Sequence, residues 1–318
     1  MNKPYVVGID IGGTNTVFGL VDARGTVVAS SSIKTGIYPE FDQYIDALND
    51  GIQTLVRTNG AEGLVHGVGV GAPNANYYTG KIEYAPNLVW KGELPLAEAL
   101  SAKTGLPVSI TNDANAAAIG EMTYGAARGM KDFIMITLGT GVGGGVVCNG
   151  SMVYGFDGMA GELGHITARR NGRLCGCGRH GCLETYCSAT GVVRTAYEFL
   201  EARIDEPTLL RDRQDLTSKD IYDAAVAGDK LAQDVFEFTG KVLGEMLAEY
   251  VSFTSPQAIV IFGGLAKSGE LLMKPLRESF ETNNMPIHKG KVKILLSELK
   301  EADAAVLGAS ALGWEAKA

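Results

Sequence analysis

The sequence has few cysteines, no long apolar run and no long run of basic residues. No apolar run approaches the ~18 residues of a membrane-spanning helix. In MNKPYVVGIDIGG, glycine and aspartate interrupt the first apolar residues too early for a signal peptide. We therefore expect a cytoplasmic protein with reduced thiols and no membrane partner. The net charge of −8 and the lack of basic runs also disfavour a nucleic-acid partner.

The composition is instead that of a globular protein with many tight turns. Apolar residues make up 46% of the chain, charged residues 20%, and there are 42 glycines. So many glycines fit positions where the backbone needs positive φ or approaches a ligand closely. A chain of 318 residues is long enough for two domains, each with its own core.

The order strand, glycine turn, strand, turn, strand occurs twice. YVVGIDIGGTNTVFGLVDARGTVVASSSI, at residues 5–33, is the first copy, and a helical pattern and another strand follow it in the order β-β-β-α-β. DFIMITLGTGVGGGVVCNGSMVYG, at residues 132–155, is the second. We therefore expect two related α/β lobes with a cleft between them. The small N-terminal lobe would comprise residues 1–112 and 302–318, and the large C-terminal lobe residues 113–301.

Each copy places a glycine-rich turn between its first two strands. IDIGGTN contains Thr14 and LGTGVGGG contains Thr140, and both present backbone N–H groups that suit phosphate oxygens. Neither is a Walker sequence or a dinucleotide fingerprint, because no Gly-Lys-Ser/Thr motif follows and the next element is a strand. Glycines that merely join strands are the alternative. Asp10 can hold Mg²⁺ or its water shell against phosphates, or it is a turn aspartate bonded to its own loop.

A third motif lies between the two copies. LPVSITNDANAAAIGEMTYGAARG predicts a short strand, a polar turn and an alanine-rich helix. Asn112 and Asp113 would lie at the helix N-terminus, where backbone N–H groups and the helix dipole support an anion. A simple helix cap is the alternative role of Asp113.

Three of the five cysteines are concentrated in GELGHITARRNGRLCGCGRHGCLE, at residues 161–184. Cys175, Cys177 and Cys182 follow the spacing C-x-C-x4-C, and tetrahedral zinc needs one further ligand. His165 and His180 compete for that place, and the longer spacing to His165 closes around a metal with less strain. Reduced cysteines without a metal are the alternative. We predict a structural zinc site made by the three cysteines and His165.

Together these motifs resemble known proteins. The two glycine turns, Asp10 and FGGLAKSGE, with Gly263 and Gly264 after a buried strand, look like the nucleotide site of the actin, heat-shock and sugar-kinase superfamily. GELGHI followed by CGCGRHGCLE resembles the signature of the ROK family of sugar kinases and sugar-responsive repressors. DIGGTN, NDANAAAIGE, LGTGVGGG and FGG occur in that family's order over almost the whole chain. The resemblance implies a two-lobed, actin-like ATPase fold of the ribonuclease H-like α/β class, with an inter-lobe cleft and a zinc-binding loop.

The resemblance also implies roles for individual residues. Asp113 corresponds to the catalytic base that takes the proton from the sugar hydroxyl as it attacks the γ-phosphate. The sugar-binding positions are Asn112, Asp113, Glu162, His165 and Glu184, with Asn87 as a further candidate. The ATP-binding positions are Asp10, Gly12, Gly13, Thr14, Asn15, Thr140, Gly141, Gly263 and Gly264. His165 would bind zinc through one ring nitrogen and face the sugar with the other. Solvated loop charges are the alternative for Glu162 and Glu184, and a turn residue for Asn87.

We therefore predict an ATP-dependent hexose kinase of the glucokinase type that uses Mg²⁺ and structural Zn²⁺ and makes the 6-phosphate. A kinase for fructose, mannose, allose or an N-acetylated hexosamine is an alternative, because GAPNANYYTG departs from the family pattern near the expected sugar pocket. A sugar-responsive regulator without kinase activity is another. The family's repressors carry a helix-turn-helix domain before the sugar-binding fold, and we expect none before DIGGTN. By analogy with the family we expect a homodimer or a dimer of dimers.

Overall fold

The computed structural model describes residues 3–211, 213–299 and 301–317. Its strands are β1 (Tyr5–Ile11), β2 (Asn15–Asp22), β3 (Val27–Lys34), β4 (Val65–Gly71), β5 (Ile82–Glu83), β6 (Glu93–Leu94), β7 (Val108–Thr111), β8 (Phe133–Leu138), β9 (Val142–Cys148), β10 (Ser151–Met152), β11 (Ala258–Phe262) and β12 (Lys293–Leu296). Its α-helices are α1 (Phe41–Thr58), α2 (Leu96–Thr104), α3 (Asp113–Tyr124), α4 (Glu184–Cys187), α5 (Ala189–Ala202), α6 (Ser218–Val226), α7 (Lys230–Thr254), α8 (Glu270–Asn283) and α9 (Glu301–Gly313). None of the helices in these ranges combines the length and apolar character that crossing a bilayer requires.

The chain divides into two compact units. The first comprises Met1–Met130, Met152–Gly161 and Ser297–Ala318, and the second comprises Lys131–Ser151 and Glu162–Leu296. The first unit therefore continues past the predicted boundary at residue 112. The physical reason is that α3 packs against α9 within that unit, with the backbones of Gly120 and Gly308 in close approach.

The first unit is built on a sheet with the strand order β3-β2-β1-β4-β7. The strands β1, β2 and β3 pair in antiparallel fashion, whereas β1, β4 and β7 run parallel. The predicted order β-β-β-α-β is thus confirmed, and β1, β2 and β3 form an antiparallel meander. The helix α1 covers the sheet with the apolar face that its periodicity predicts, formed by Tyr44, Ile45, Leu48, Ile52, Leu55 and Val56.

The helix α9 lies directly on β1 and β4 because glycines leave room for its backbone. A Cβ atom at Gly8 would overlap the carbonyl oxygen of Val306, and one at Gly69 would overlap that of Ala309 and lie 2.6 Å from the amide nitrogen of Gly313. The glycines of VVGIDIGG and VHGVGVG therefore also serve packing.

The second unit repeats the plan, with the strand order β10-β9-β8-β11-β12. The strands β8 and β9 are antiparallel, and β11 runs parallel to β8 and to β12. Its core is formed by this sheet and the helices around α7, with fully buried Phe236, Leu243 and Leu247 among its members. The helix α7 ends at Thr254, two residues before Pro256, a residue type that cannot continue a helix.

Candidate functional site

The parallel strands of the first unit end side by side. Asp10 at the end of β1 pairs with Gly71 at the end of β4, and Gly71 pairs with Thr111 at the end of β7. Ligands of parallel α/β sheets bind outside the carboxyl ends of the strands. The sheet therefore directs Asp10 and the residues after Thr111 toward one edge where a ligand can bind.

Asp113 begins α3 immediately after β7. The Asn112 side chain is the N-cap of the helix, and its Oδ1 accepts a hydrogen bond from the Asn115 backbone N–H at 2.7 Å. Oδ1 of Asp113 accepts one from the Ala114 backbone N–H at 2.8 Å. The two residues thus lie at the helix N-terminus, where the sequence placed them, and the backbone fixes the Asp113 carboxylate.

Asp10 and Asp113 lie close to each other across Gly71. A Cβ atom at Gly71 would lie 3.8 Å from the Asp113 Cα and 4.0 Å from the Asp10 Oδ1. Burial, with a contribution from the negative charge of Asp113, raises the pKa of Asp10 to about 6. Desolvation also raises the pKa of Asp113, against hydrogen bonds from the N–H groups of Ala114 and of Asp113 itself. Two neighbouring carboxylates that resist ionisation form a site where a cation is favourable.

The first glycine turn leads from β1 into β2. The Gly12 backbone N–H donates to the carbonyl oxygen of Asn15 at 3.0 Å, and the side chains of Thr14 and Asn15 are exposed. The backbone of Asn87 covers Gly13, where a Cβ atom would lie 2.6 Å from the Asn87 carbonyl oxygen. Glycine is therefore required at this position, and the exposed Asn87 lies beside the first glycine turn.

A buried hydrogen-bond network of three hydroxyl groups lies next to this turn. The Thr16 hydroxyl lies 2.8 Å from the Tyr44 hydroxyl and 2.9 Å from the Thr35 hydroxyl, and all three residues are at most 1% exposed. The Trp90 ring lies 4.6 Å from that of Tyr44, centroid to centroid, which anchors the segment containing Asn87. The network ties β2, β3 and α1 together directly behind Asn15.

The segment GAPNANYYTG contributes to packing. The Asn76 side chain is 2% exposed, and its Nδ2 donates to the Asp157 carbonyl oxygen at 2.7 Å. The Tyr77 ring stacks on that of Tyr154 with a centroid distance of 4.1 Å. Asn76 and Tyr77 therefore hold the segment 152–161 on the first unit.

In the second unit, the structure brings His165 together with Cys175, Cys177 and Cys182. Their ligand atoms all lie within 4.8 Å of one another. The separations are 3.6 Å between His165 Nδ1 and Cys175 Sγ and 3.7 Å between Cys177 Sγ and Cys182 Sγ. Four thiolates ~2.3 Å from a tetrahedral zinc ion would lie ~3.8 Å apart. The cluster therefore has the dimensions and donor set of a structural zinc site.

The two histidines of this loop have different surroundings. The Nδ1 of His165 points into the cluster, and its Nε2 lies 3.9 Å from Glu162 Oε2. His180 is exposed and its Nδ1 lies 3.1 Å from the Gly172 carbonyl oxygen. Burial raises the pKa of the Cys175 thiol to about 12, so a metal must displace its proton on binding. His165 can therefore serve a metal with one ring nitrogen while the other faces Glu162.

Glu184 connects the cysteine loop with the second glycine turn. Its Oε2 accepts a hydrogen bond from the Val142 backbone N–H at 3.0 Å, and its Oε1 accepts one from Cys175 Sγ at 3.6 Å. A Cβ atom at Gly141 would overlap the carboxylate. The carbonyl oxygen of Thr140 in the same turn accepts a hydrogen bond from the Thr190 hydroxyl at 3.0 Å. Glu184 therefore makes a structural contact to the turn, and its role in sugar binding stays a prediction.

Gly264, which directly follows Gly263, lines a cavity of about 320 Å³ in the second unit. Gly263 has φ of +106°, and Gly264 begins the 3₁₀ helix Gly264–Ser268. The lining residues are Ser218, Lys219, Tyr222, Gly264, Leu265, Lys267 and Ser268. No sequence pattern predicts the α6 side of the cavity, because no characteristic spacing links Ser218 to Gly264.

Comparisons with known proteins agree with these motifs. The ROK family matches residues 6–316. A glucokinase of Halalkalibacterium halodurans is 38% identical over 334 residues, which cover 100% of this chain and 96% of that protein. A ROK family glucokinase of Streptomyces griseus, solved in complex with glucose and AMPPNP, superposes with a TM-score of 0.79 at 34% identity, covering 98% of this chain and 99% of that one. A xylose repressor of Caldicellulosiruptor bescii is 28% identical over 96% of this chain and 77% of its own length. This protein therefore belongs to the ROK family and has its two-lobed, actin-like α/β fold.

Proposed function

We propose that this protein transfers the γ-phosphate of ATP to the 6-hydroxyl of a hexose, with glucose as the substrate. The observation that carries the proposal is the position of Asp113, at the N-terminus of α3 and beside Asp10. The glucokinase relative at 38% identity, and the glucose and AMPPNP bound to the Streptomyces griseus enzyme, support it.

Asp113 acts as the general base in this proposal. Its carboxylate accepts the proton of the sugar 6-hydroxyl while the hydroxyl oxygen forms a bond to the γ-phosphorus and the bond to the ADP oxygen breaks. A raised pKa makes the carboxylate a stronger proton acceptor. The hydrogen bond from Ala114 N–H to its Oδ1 holds the base in one orientation, and Asn112 offers its amide to a neighbouring sugar hydroxyl.

Each unit has a glycine turn with groups that suit the phosphates of the donor. The turn with Gly12, Gly13, Thr14 and Asn15 and the turn with Thr140 and Gly141 offer backbone N–H groups and hydroxyls to phosphate oxygens. Asp10 would hold Mg²⁺ directly or through water, and the ion would neutralise phosphate charge. The cavity beside Gly263 and Gly264 accepts the adenosine part of the nucleotide.

Recognition of the sugar rests on carboxylate, imidazole and amide groups that can pair with several hydroxyls. Glu162, His165 and Glu184 belong to or flank the cysteine loop, and Asn87 lies beside the first phosphate turn. In this proposal zinc is bound by His165, Cys175, Cys177 and Cys182 and takes no part in the chemistry. It fixes the loop that presents the sugar ligands.

The test is a coupled assay of ADP release with MgATP and a panel of glucose, fructose, mannose, allose, N-acetylglucosamine and N-acetylmannosamine. The proposal predicts turnover, with the highest kcat/KM on glucose. Preference for another sugar would retain the reaction and change the substrate. No turnover on any sugar, together with binding of sugar alone, would contradict the kinase and favour a regulator, as in the xylose repressor relative. Light scattering of the same sample would test the expected homodimer or dimer of dimers.

A further inference from the structure

A lysine lies next to the first phosphate turn. Lys34 is the last residue of β3 and pairs directly with Asn15, the first residue of β2. Its ammonium group donates a hydrogen bond to the Asn15 Oδ1 at 2.9 Å. On the following residue, the Thr35 backbone N–H donates to the carbonyl oxygen of Thr14 at 2.9 Å. The backbone on both sides of the ammonium-bearing residue is therefore tied to the turn.

The position of Lys34 is fixed by packing as well as by strand pairing. Thr35 is 1% exposed, and its hydroxyl joins the buried network with Thr16 and Tyr44. A rotation of the strand end would break this network and the bond from Thr35 to Thr14 together. The side chain of Lys34, in contrast, is exposed, so its ammonium group can reach a ligand at the turn.

The ammonium group of Lys34 contacts a different kind of group from that contacted by several other lysines of the described residues. Several lysines form ion pairs with carboxylates at 2.5–2.7 Å, namely Lys81, Lys103, Lys219, Lys230 and Lys241. The partner found for Lys34 among the described residues is the neutral amide of Asn15. An amide orients an ammonium group without neutralising it. The positive charge therefore stays available to an anion at the turn.

The region around the first glycine turn carries negative charge that the ammonium group of Lys34 can balance. Asp10 and Asp113 place two carboxylates near the end of β1, and the strands β1, β2 and β3 contain no lysine or arginine besides Lys34. A nucleotide triphosphate brings further negative charge to this place. Positioned cations that balance the transferring phosphoryl group are a general requirement of phosphoryl transfer.

We propose that Lys34 is a phosphate-binding residue of the kinase, whose ammonium group, oriented by Asn15, contacts a terminal phosphate of the nucleotide. The inference rests on the proposed function and adds to it a side-chain cation at the first phosphate turn. It predicts that Lys34 strengthens the binding of nucleotides that carry phosphates and not the binding of the nucleoside. Adenosine, which has no phosphate, gains nothing from Lys34, whereas ADP and ATP do.

The test compares Lys34→Met with wild type and with Lys103→Met. Lys103 is a matched control, because it also holds an oxygen acceptor, the Asp46 carboxylate at 2.6 Å, but lies on α2. Replacing Lys34 is expected to lower kcat/KM for MgATP by about 10- to 100-fold, the usual effect of removing a hydrogen bond to a charged group. The KM for the sugar and the inhibition constant of adenosine stay within about twofold, and Lys34→Arg recovers most of the loss.

The dependence of the KM for MgATP on ionic strength distinguishes a direct contact between Lys34 and phosphate from a purely structural hydrogen bond to Asn15. A direct ion pair is screened by salt, so the KM for MgATP of wild type rises more steeply with ionic strength than that of Lys34→Met. Equal slopes, or equal activity of Lys34→Met and Lys103→Met in an active wild type, would overturn the inference and leave the proposed function standing. A wild type that neither phosphorylates a sugar nor binds nucleotide would overturn both.

Discussion

Replacing Asp10 with asparagine is expected to stabilise the fold while it removes kinase activity. The carboxylate of Asp10 is desolvated and lies near that of Asp113, and together these effects raise its pKa from 3.8 to about 6. The native state therefore holds this proton more tightly than the unfolded chain does. As a result, the free energy of unfolding falls as the pH rises from 3.8 to 6, and it stays at the lower value above pH 6. At pH 8 the ionised Asp10 therefore destabilises the fold by its full amount.

The size of this effect follows from the shift. A change of about two pKa units corresponds to ~3 kcal/mol at pH 8 and to about half of that at pH 5. The measurement is urea denaturation of wild type and Asp10→Asn without added magnesium. We expect the variant to be more stable by up to ~3 kcal/mol at pH 8, with a smaller difference at pH 5. In the ADP-release assay the variant should be inactive, since it lacks the carboxylate that we propose holds Mg²⁺.

Asp22 provides a matched control with the opposite sign. Its slight desolvation acts to raise the pKa, but hydrogen bonds from the N–H groups of Thr26 and Arg24 outweigh it and hold the pKa below its usual value. Its ionised form stabilises the fold at pH 8, so Asp22→Asn should be less stable than wild type there. Two results would contradict the raised pKa of Asp10. One is an Asp10→Asn variant that is less stable than wild type at pH 8, and the other is a stability difference in favour of the variant that is larger at pH 5 than at pH 8.

Three further predictions concern the metal cluster, the sheet and the buried network. Cys182→Ala should lose most of the bound zinc, measured by mass spectrometry of the metal, and lower kcat/KM for the sugar more than that for MgATP; full zinc content would refute the assignment. Gly69→Ala should destabilise the fold by ~1–3 kcal/mol in urea denaturation, because the added methyl group meets the backbone of α9, and an unchanged midpoint would contradict this packing. Tyr44→Phe should cost ~1–2 kcal/mol, because it removes a partner of the buried Thr16 hydroxyl, and equal stability would show that Thr16 finds another partner.

Local sequence patterns predict the strands, the turns and the cluster of His165 with the three cysteines. The meander of the first unit follows from alternating apolar residues interrupted by glycine and aspartate, and the start of α3 follows from Asn112, a residue type that caps helices. The cysteine loop is also local, because Cys175, Cys177 and Cys182 lie within eight residues. Such features depend on neighbours along the chain, and a single sequence contains them.

Features made by distant residues escape such patterns. The network of Thr16, Thr35 and Tyr44 joins three elements through side chains that are common in any strand or helix. The same holds for α6, which supplies one wall of the cavity beside Gly264. The place of the segment 152–161 in the first unit likewise depends on Asn76 and on the stacking of Tyr77 on Tyr154. These contacts depend on tertiary packing, which residue spacing alone does not specify.

The most direct test of the proposed mechanism is the activity of Asp113→Asn with MgATP and glucose, beside the exposed control Asp50→Asn. If Asp113 is the general base, its replacement should lower kcat by ~10²–10⁴-fold, while glucose and nucleotide still bind with affinities close to those of wild type. Asp50→Asn should retain full activity. Turnover by Asp113→Asn within about twofold of wild type would contradict the mechanism.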